Sequence, residues 1–368
     1  MTTGVKAAVL REINQPLSIE TITLDKPAAG EVLVRTAVAG VCHSDFHFMN
    51  GSYETPLPSV MGHESAGVVE QVGPGVTYVR PGDHVISCMS MFCGSCRYCL
   101  RGESYSCART DTLLRASDQT PRASQQGSLM HLGYELGSFA EMMLLPERAI
   151  VKIRDDMPMD RAALIGCAVT TGVGAVFNTA KVQAGSVVAV IGCGGIGLST
   201  INGAAIAGAR QIIAIDIKPE KLDMARAFGA TDTISAADGD VVEAVLDMTD
   251  GGVDYSFEAL GRKTTVEQAF NILRPSGTAC VIGMVPEHEK IEISGPSLIN
   301  DRKLIGCNMG SNAFRIDMPV LVDLYLQGRL HLDQLISKRI QLQDVNQAFD
   351  EMLNGNVARS VIVFDSDS

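Results

Sequence analysis

The chain has 368 residues, 46% apolar and 20% charged, with a formal net charge of −12 and a pI near 5.1. That length suggests two or three domains, and folded chains this long bury about three-quarters of their unfolded surface, so the core needs no disulfide staples. The acidic balance argues against nucleic-acid and anionic-membrane partners, which need a basic face, and the moderate charge argues against long disorder.

Ten cysteines are too few for a disulfide scaffold. The opening "MTTGVKAAVLREINQPLSIE" has no apolar run long enough for a signal peptide. A reducing cytoplasm is therefore expected, where cysteine spacing points to metal binding or catalysis.

In chain order, the first 90 residues alternate short β-rich runs with glycine and proline breaks, as in "EVLVRTAVAG", "SAGVVEQVGPGV" and "GDHVISCM". They predict a partly antiparallel β domain. Residues 111–132 form a polar stretch, expected to be a surface loop. From Ser186 the rhythm changes. "SVVAVIG", "QIIAID", "DTIS", "GVDYSFEALG", "TACVIGM" and "KLIGCNMG" are strand-like. Helical patterns such as "GGIGLSTINGAAIAGA", "KPEKLDMARAFGA" and "GDVVEAVLDMT" lie between the early ones. Alternation of this kind implies βαβ units and a parallel sheet. The last 55 or so residues mix helix and strand and end in "SVIVFD". There is no internal repeat.

Gly192-Cys193-Gly194-Gly195-Ile196-Gly197 is a G-x-G-x-x-G that follows an apolar strand and opens a helix. The first glycine permits a tight turn, the second a close approach of the backbone to a pyrophosphate, and the third close packing of helix on strand. The helix N-terminus adds free N–H groups and a positive dipole end. A second strand ends at Asp216, 19 residues after Gly197, where a carboxylate would accept hydrogen bonds from the adenosine ribose. A 2′-phosphate about 4 Å from that carboxylate would cost roughly 4 kcal/mol at an effective dielectric near 20, so NAD is expected over NADP. Val182–Ala209 is uncharged over 28 residues, long enough to span a bilayer, but this motif and its seven glycines speak against a membrane helix.

Cys93, Cys96, Cys99 and Cys107 have the number and spacing of a closed tetrahedral zinc site. Only Arg97, Arg101 and Arg109 lie nearby, too little basic charge for a nucleic-acid finger. A looser pattern joins "GVCHSDFHFMNG" to "GHESAG". Cys42 and, 21 residues on, His63 are ligand types, with Asp45 and Glu64 beside them. A catalytic zinc takes three protein ligands and keeps one position open. Spacing does not name the third ligand: Cys88, Cys167, Cys193, Cys280 and Cys307 are all candidates. It also leaves open that Cys42 is a buried thiol and His63 a satisfied histidine.

Taken together, "GVCHSD", "GHESAG", "PGDHV", the four-cysteine block, "LIGCAVTTGVGAV", "GCGGIG", "DIKPEK", "GGVDYSFE" and "ARSVIVF" stand in the order and at the spacings of one family. The chain resembles the zinc-dependent medium-chain alcohol dehydrogenases over nearly its whole length. The resemblance implies an α/β protein: a Rossmann doubly wound parallel sheet over 169–308, plus a mainly β, GroES-like catalytic domain over 1–168 with 309–368. A structural zinc lobe would occupy 88–112. It implies a catalytic zinc on Cys42, His63 and Cys167, a structural zinc on Cys93, Cys96, Cys99 and Cys107, and NAD as cofactor. Asp45 would orient His63, Glu64 would sit near the metal, and Ser44 and His47 would form a proton relay. His43 and Arg359 would contact the pyrophosphate, and Asp216 and Lys221 the adenosine ribose. Thr171 and Ile196 would pack behind the nicotinamide.

The implied reaction is reversible oxidation of alcohols to aldehydes or ketones by hydride transfer from a zinc-bound alkoxide. Partners would be small alcohols or aldehydes and a second copy of the chain, a homodimer with a homotetramer as the other form. The motifs come nearest the glutathione-dependent formaldehyde dehydrogenase class. That class carries an arginine four residues after the last structural cysteine, where this chain has Asp111. It also carries an aspartate after "SG", where this chain reads "NGSYETP". Both glutathione anchors are thus missing, with Arg109 and Arg115 as possible substitutes. Met89 takes a pocket-wall position often held by an aromatic ring, which suggests a broad apolar pocket for medium-chain or aromatic alcohols. A non-enzymatic NAD-binding relative is the alternative of another class; loss of a zinc ligand would signal it, and every expected ligand is present.

Overall fold

Val187–Ile191 reads VVAVI and all five residues are buried, as a strand covered on both faces requires. It is the centre of a six-stranded parallel sheet. Gln211–Asp216 and Asp232–Ser235 lie to one side; Val253–Glu258, Leu273–Val281 and Lys303–Gly306 lie to the other. With the strands numbered in chain order, the sheet runs 3-2-1-4-5-6, the Rossmann order. The computed structural model describes residues 3–355 and 358–364.

The second unit is built around Glu31–Gly40. This strand pairs antiparallel with Glu64–Val72, Met142–Pro146 and Arg359–Val363. Gly40 stands opposite both Glu64 and Val361. Three distant stretches of sequence are thereby brought to one end of one sheet, and this is what brings Cys42, His63 and Arg359 to one place. A further sheet contains Thr3–Leu10 and Ser18–Leu24.

The chain divides into Met1–Cys167, Ala313–Leu326 and Leu332–Ser368 on one side and Ala168–Asn312 with Gln327–His331 on the other. The sequence expectation returned the chain to the catalytic unit at residue 309. Instead, residues 309–312 stay with the parallel-sheet unit. Gly310, at φ 68°, sits so close that a Cβ there would lie 2.3 Å from the Thr170 carbonyl oxygen. Gln327–His331 also stays, because the Asn202 amide donates to the Arg329 carbonyl and accepts from the His331 N–H. The expected outer limits of the catalytic domain, residues 1 and 368, lie outside the described residues.

Residues 111–132 are not simply loop. Ala123–Gln125 and Ser128–Leu129 form a hairpin turned by Gln126 and Gly127, at φ 49° and 82°, the positive pair that a tight two-residue hairpin turn needs. Thr23 pairs with Ser124, so the hairpin extends a sheet. Val182–Ala209 divides into a strand and the helix Gly195–Ile206. Among the described residues, one helix is long and apolar enough to cross a membrane, Met159–Thr179, and most of it is buried inside the protein.

Candidate active site

Cys42 ends the loop after strand Glu31–Gly40 and caps the helix His43–Met49. His63 immediately precedes strand Glu64–Val72, and Cys167 lies in the wide helical turn Ile165–Val169. Their ligand atoms lie within 4.8 Å of one another and all three residues are buried. His63 Nε2 is 3.2 Å from Cys167 Sγ. A tetrahedral zinc has ligand–ligand edges of about 3.5–3.8 Å, so this donor set fits one ion. Of the five cysteines left open by spacing, geometry brings only Cys167 to the pair. The Cys167 hydrogen bond, with Arg359 and His63 adding, holds the Cys42 thiol well below its ordinary value despite burial. Burial alone would lower the His63 pKa, but Asp45 and Cys42 outweigh it and raise it well above the usual imidazole value. A metal would displace these protons, which couples its binding to pH.

Asp45 is fully buried. Its Oδ1 sits 3.1 Å from His63 Nδ1 and accepts from the Gly62 N–H at 3.1 Å. That leaves His63 Nε2 as the ligand atom and fixes the ring orientation. Glu64 and Arg359, both buried, approach to 3.5 Å, and Arg359 also donates to the Val41 carbonyl. Arg359, expected as a pyrophosphate contact, is therefore also the counter-charge to Glu64 beside the Cys42–Cys167 pair. Cys42 Sγ is 3.8 Å from Ser44 Oγ. His47 follows one helical turn later, its ring 5.1 Å from that of His43. Burial, and then the nearby His43, lower the His47 pKa. His43 itself is exposed.

One residue at this site escaped the sequence reading. The Tyr134 ring lies 4.4 Å from the His63 ring and 5.0 Å, edge-on, from Phe48. Its hydroxyl is buried without a hydrogen-bond partner among the described residues, and burial together with the Asp45 charge keeps it protonated. Tyr134 and Glu135 both have left-handed backbone, φ 52° and 62°, which costs of order 1–3 kcal/mol per residue. Arg122 holds this turn. It is buried, donates to the Glu135 and Leu144 carbonyls, and pairs with the Glu135 carboxylate. Met89 packs on the same core cluster as Tyr134.

The second thiol group is local. Cys93, Cys96, Cys99 and Cys107 have all their sulfurs within 4.8 Å of one another; Cys96 Sγ is 3.5 Å from Cys99 and 3.9 Å from Cys107. The Ser95 and Cys96 N–H groups donate to Cys93 Sγ. These bonds, the Ser95 amide first, bring the Cys93 thiol down to about 6, while burial pushes Cys99 up to about 12. All ten cysteines are free, so this is four thiols rather than two disulfides.

In the parallel-sheet unit, Gly197 cannot be replaced: a Cβ would lie 1.7 Å from the Gly192 carbonyl oxygen. Gly194 caps the helix Gly195–Ile206, and a Cβ there would meet no protein atom within 4 Å. Glycine at 194 therefore leaves room for something other than protein, which suits a pyrophosphate at a helix N-terminus. Asp216 differs from the expectation in one respect. Expected as a ribose acceptor, it braces the glycine turn, accepting from the Cys193 N–H at 2.8 Å and the Lys218 N–H at 3.1 Å. Lys221 lies in the helix Pro219–Ala227, near enough for its charge to act on the Cys193 thiol. Ile196 is half-buried in the first turn of its helix. Buried Thr171 donates to Met309 Sδ at 3.5 Å.

Residues 28–155 match the alcohol dehydrogenase GroES-like domain, and residues 195–327 match the zinc-binding dehydrogenase family. A class-3 alcohol dehydrogenase of Oryza sativa subsp. japonica is 37% identical, covering 98% of this chain and 97% of its own. Among solved structures, an alcohol dehydrogenase zinc-binding domain protein from Burkholderia ambifaria is 35% identical with a TM-score of 0.95, covering 99% of this chain and 100% of its own. Benzyl alcohol dehydrogenase from Acinetobacter calcoaceticus is 30% identical with a TM-score of 0.93, at the same coverage. With 98–99% of the chain inside these likenesses, it belongs to the zinc-type medium-chain alcohol dehydrogenases, oxidoreductases that act on alcohols with zinc and a nicotinamide dinucleotide.

Proposed function

We propose that this alcohol dehydrogenase oxidises primary alcohols carrying a flat apolar group, benzylic alcohols above all, with NAD in preference to NADP. The observation that carries the substrate class is the Tyr134 ring, set against His63 and Phe48 at the candidate metal centre. Aromatic pairs prefer edge-on or offset contact and are worth about 0.5–1.5 kcal/mol beyond burial. The likeness to a benzyl alcohol dehydrogenase points the same way.

Cys42, His63 and Cys167 would hold the catalytic zinc, and Cys93, Cys96, Cys99 and Cys107 the structural one. When bound, zinc acidifies the alcohol hydroxyl and NAD accepts the hydride. The chain's own residues do the rest. Ser44 takes the alcohol proton, while Tyr134 sets the apolar wall beside His63. His47, with its lowered pKa, is a neutral base at pH 7 and passes the proton to water. Asp45 locks His63, and the Glu64–Arg359 pair sets the charge behind the thiolates. Gly194 gives the pyrophosphate its approach. Asp216 and Lys221 receive the ribose, while Thr171 and Ile196 back the nicotinamide.

Glutathione is not a required partner in this reading. Asp111 is exposed where an anion would need a cation. Arg115 is engaged by Asp25 and Glu31, which removes it as a substitute anchor; Arg109 is exposed. The exposed Leu298 and Ile299 support a homodimer, and the free thiols support a cytoplasmic setting. The test is initial rates with benzyl alcohol, ethanol and a secondary alcohol, using NAD or NADP, beside formaldehyde with and without glutathione. Benzyl alcohol with NAD should lead, with NADP at least about tenfold worse. A dominant glutathione-dependent rate would overturn the reading and favour the class-3 activity.

A further inference from the structure

Glu258 ends strand Val253–Glu258 and is fully buried, yet it belongs to neither ligand group nor to the proton path. A carboxyl group is costly to bury unless its oxygens are occupied. Its Oε1 accepts three hydrogen bonds, from the Leu260 N–H at 2.9 Å, the Gly261 N–H at 2.8 Å and the Thr265 hydroxyl at 2.7 Å. Its Oε2 has no partner among the described residues and lies 2.7 Å from where a Cβ on Gly283 would stand. The backbone here makes further ties. The Glu258 carbonyl accepts from the Ile282 N–H at 2.8 Å and the Gly283 N–H at 3.0 Å, and the Ala259 N–H donates to the Ile191 carbonyl at 2.9 Å. Glu258 thus fastens together the ends of the first, fourth and fifth strands of the parallel sheet.

In the order 3-2-1-4-5-6 the first and fourth strands meet where the winding reverses, and in such sheets the ligand lies in the crevice outside their carboxyl ends. Gly192 and Gly194 border that crevice from the first strand. The turn held by Glu258 borders it from the fourth. This turn has no slack. A Cβ on Gly283 would lie 2.0 Å from the Gly261 nitrogen, and one on Gly261, at φ 79°, 2.4 Å from the Met284 carbonyl oxygen. The Leu260 side chain is set over the glycine turn, where a Cβ on Gly192 would lie 2.7 Å from Leu260 Cγ. Leu260 is nevertheless 45% exposed. A leucine fixed on the glycine turn and open on its other side is an apolar wall of the crevice.

We infer that Glu258 is a positioning residue for the nicotinamide dinucleotide: through the Leu260–Gly261 turn it holds one wall of the crevice against Gly192. It touches no reacting atom, so its effect falls on cofactor affinity rather than on the hydride step. The inference rests on the dinucleotide lying along the glycine turn, as proposed above. Support for the start of helix Lys263–Asn271 is the plainer use of this carboxyl, through Thr265. The bonds to Leu260 and Gly261 go beyond that use.

The test measures NADH binding to the zinc-loaded enzyme by fluorescence, with thermal midpoint and zinc content followed in parallel. Glu258→Leu leaves three donors without their acceptor and should weaken NADH binding about tenfold. KM for NAD should rise with it, while kcat should not fall. Glu258→Gln keeps an acceptor oxygen and should bind NADH within about twofold of the parent. Thr265→Val removes one donor, disturbs folding least, and should weaken binding about threefold. Leu260→Ala combined with Glu258→Leu should cost no more than the larger single change, because both act through one wall. Gly194→Val checks the underlying reading: its Cβ would meet no protein atom within 4 Å, so it should fold and lose NADH binding. If NADH binding survives Gly194→Val, the placement of the dinucleotide falls and the inference with it. If binding is lost there while Glu258→Leu and Thr265→Val bind NADH like the parent, or if the Leu260 and Glu258 changes add, the inference alone is overturned, whatever the thermal midpoint does.

Discussion

The two ligand groups lie in the same unit and are built in opposite ways. Cys93, Cys96, Cys99 and Cys107 come from one short segment, are mostly half-exposed, and are satisfied by N–H groups of their own loop. Cys42, His63 and Cys167 come from three distant elements, are buried, and lean on Asp45, Glu64 and Arg359. A site of four thiols with local support can hold a loop and nothing more. A site of three ligands backed by a buried carboxylate and an ion pair has one position left over and an environment tuned to use it. Composition, burial and supporting residues, rather than the mere presence of thiols, separate the group proposed as structural from the one proposed as catalytic.

The sharpest way to break this comparison is to delete one ligand. Cys167→Ala should cut benzyl alcohol turnover by about a thousandfold or more, because several kcal/mol of charge stabilisation is lost with the metal. Unfolding should remain cooperative. Retained turnover would mean that the buried group is not the reacting centre. Asp45→Asn probes the support instead of the ligand, and outer-shell changes of this kind typically cost about 10–100-fold in metal affinity or activity. Zinc titration alongside kcat separates the two.

His47→Gln tests the outer end of the proton path. A lowered imidazole pKa means that His47 is already neutral at pH 7 and becomes a cation, unable to accept a proton, only as pH falls through that lowered value. Parent alcohol oxidation should therefore decline on acidification through that point. His47→Gln should lack this inflection, run about tenfold slower near pH 7 and recover toward alkaline pH, since positioned acid–base groups contribute about 100-fold and a remote one less. Superimposable profiles would leave His47 as a surface residue. The smallest effect on turnover belongs to the local group. Cys99→Ser should leave kcat within about twofold when fresh but lower the thermal midpoint by several degrees, because metal binding there is folding free energy. A large immediate loss of kcat would erase the contrast between the sites.

The same contrast governs what was legible in the sequence. The four-cysteine group and the G-x-G-x-x-G declare themselves by spacing, because their parts are adjacent in the chain. Val187–Ile191 and its neighbours are readable because buried parallel strands are continuously apolar. The buried trio is not readable that way: nothing in the spacing distinguishes Cys167 from Cys280 or Cys307, and only the family resemblance singled it out. Tyr134 was missed for the same reason. Its place depends on two left-handed residues held by Arg122 from the preceding hairpin, and no periodicity encodes that. The local signal that existed was weak: a tyrosine in a Gly-Tyr-Glu turn within a few residues of a second glycine. The return of the chain at 309–312 was misplaced because it turns on one close backbone contact at Gly310.

The central claim is that the chain carries two zinc sites of different kinds, and elemental analysis of the purified enzyme tests it most directly. Two zinc ions per chain are predicted for the parent, and one each for Cys167→Ala and Cys99→Ser, with activity lost only in the first. An active parent with one zinc or none, or a Cys167→Ala protein that keeps two, would contradict it.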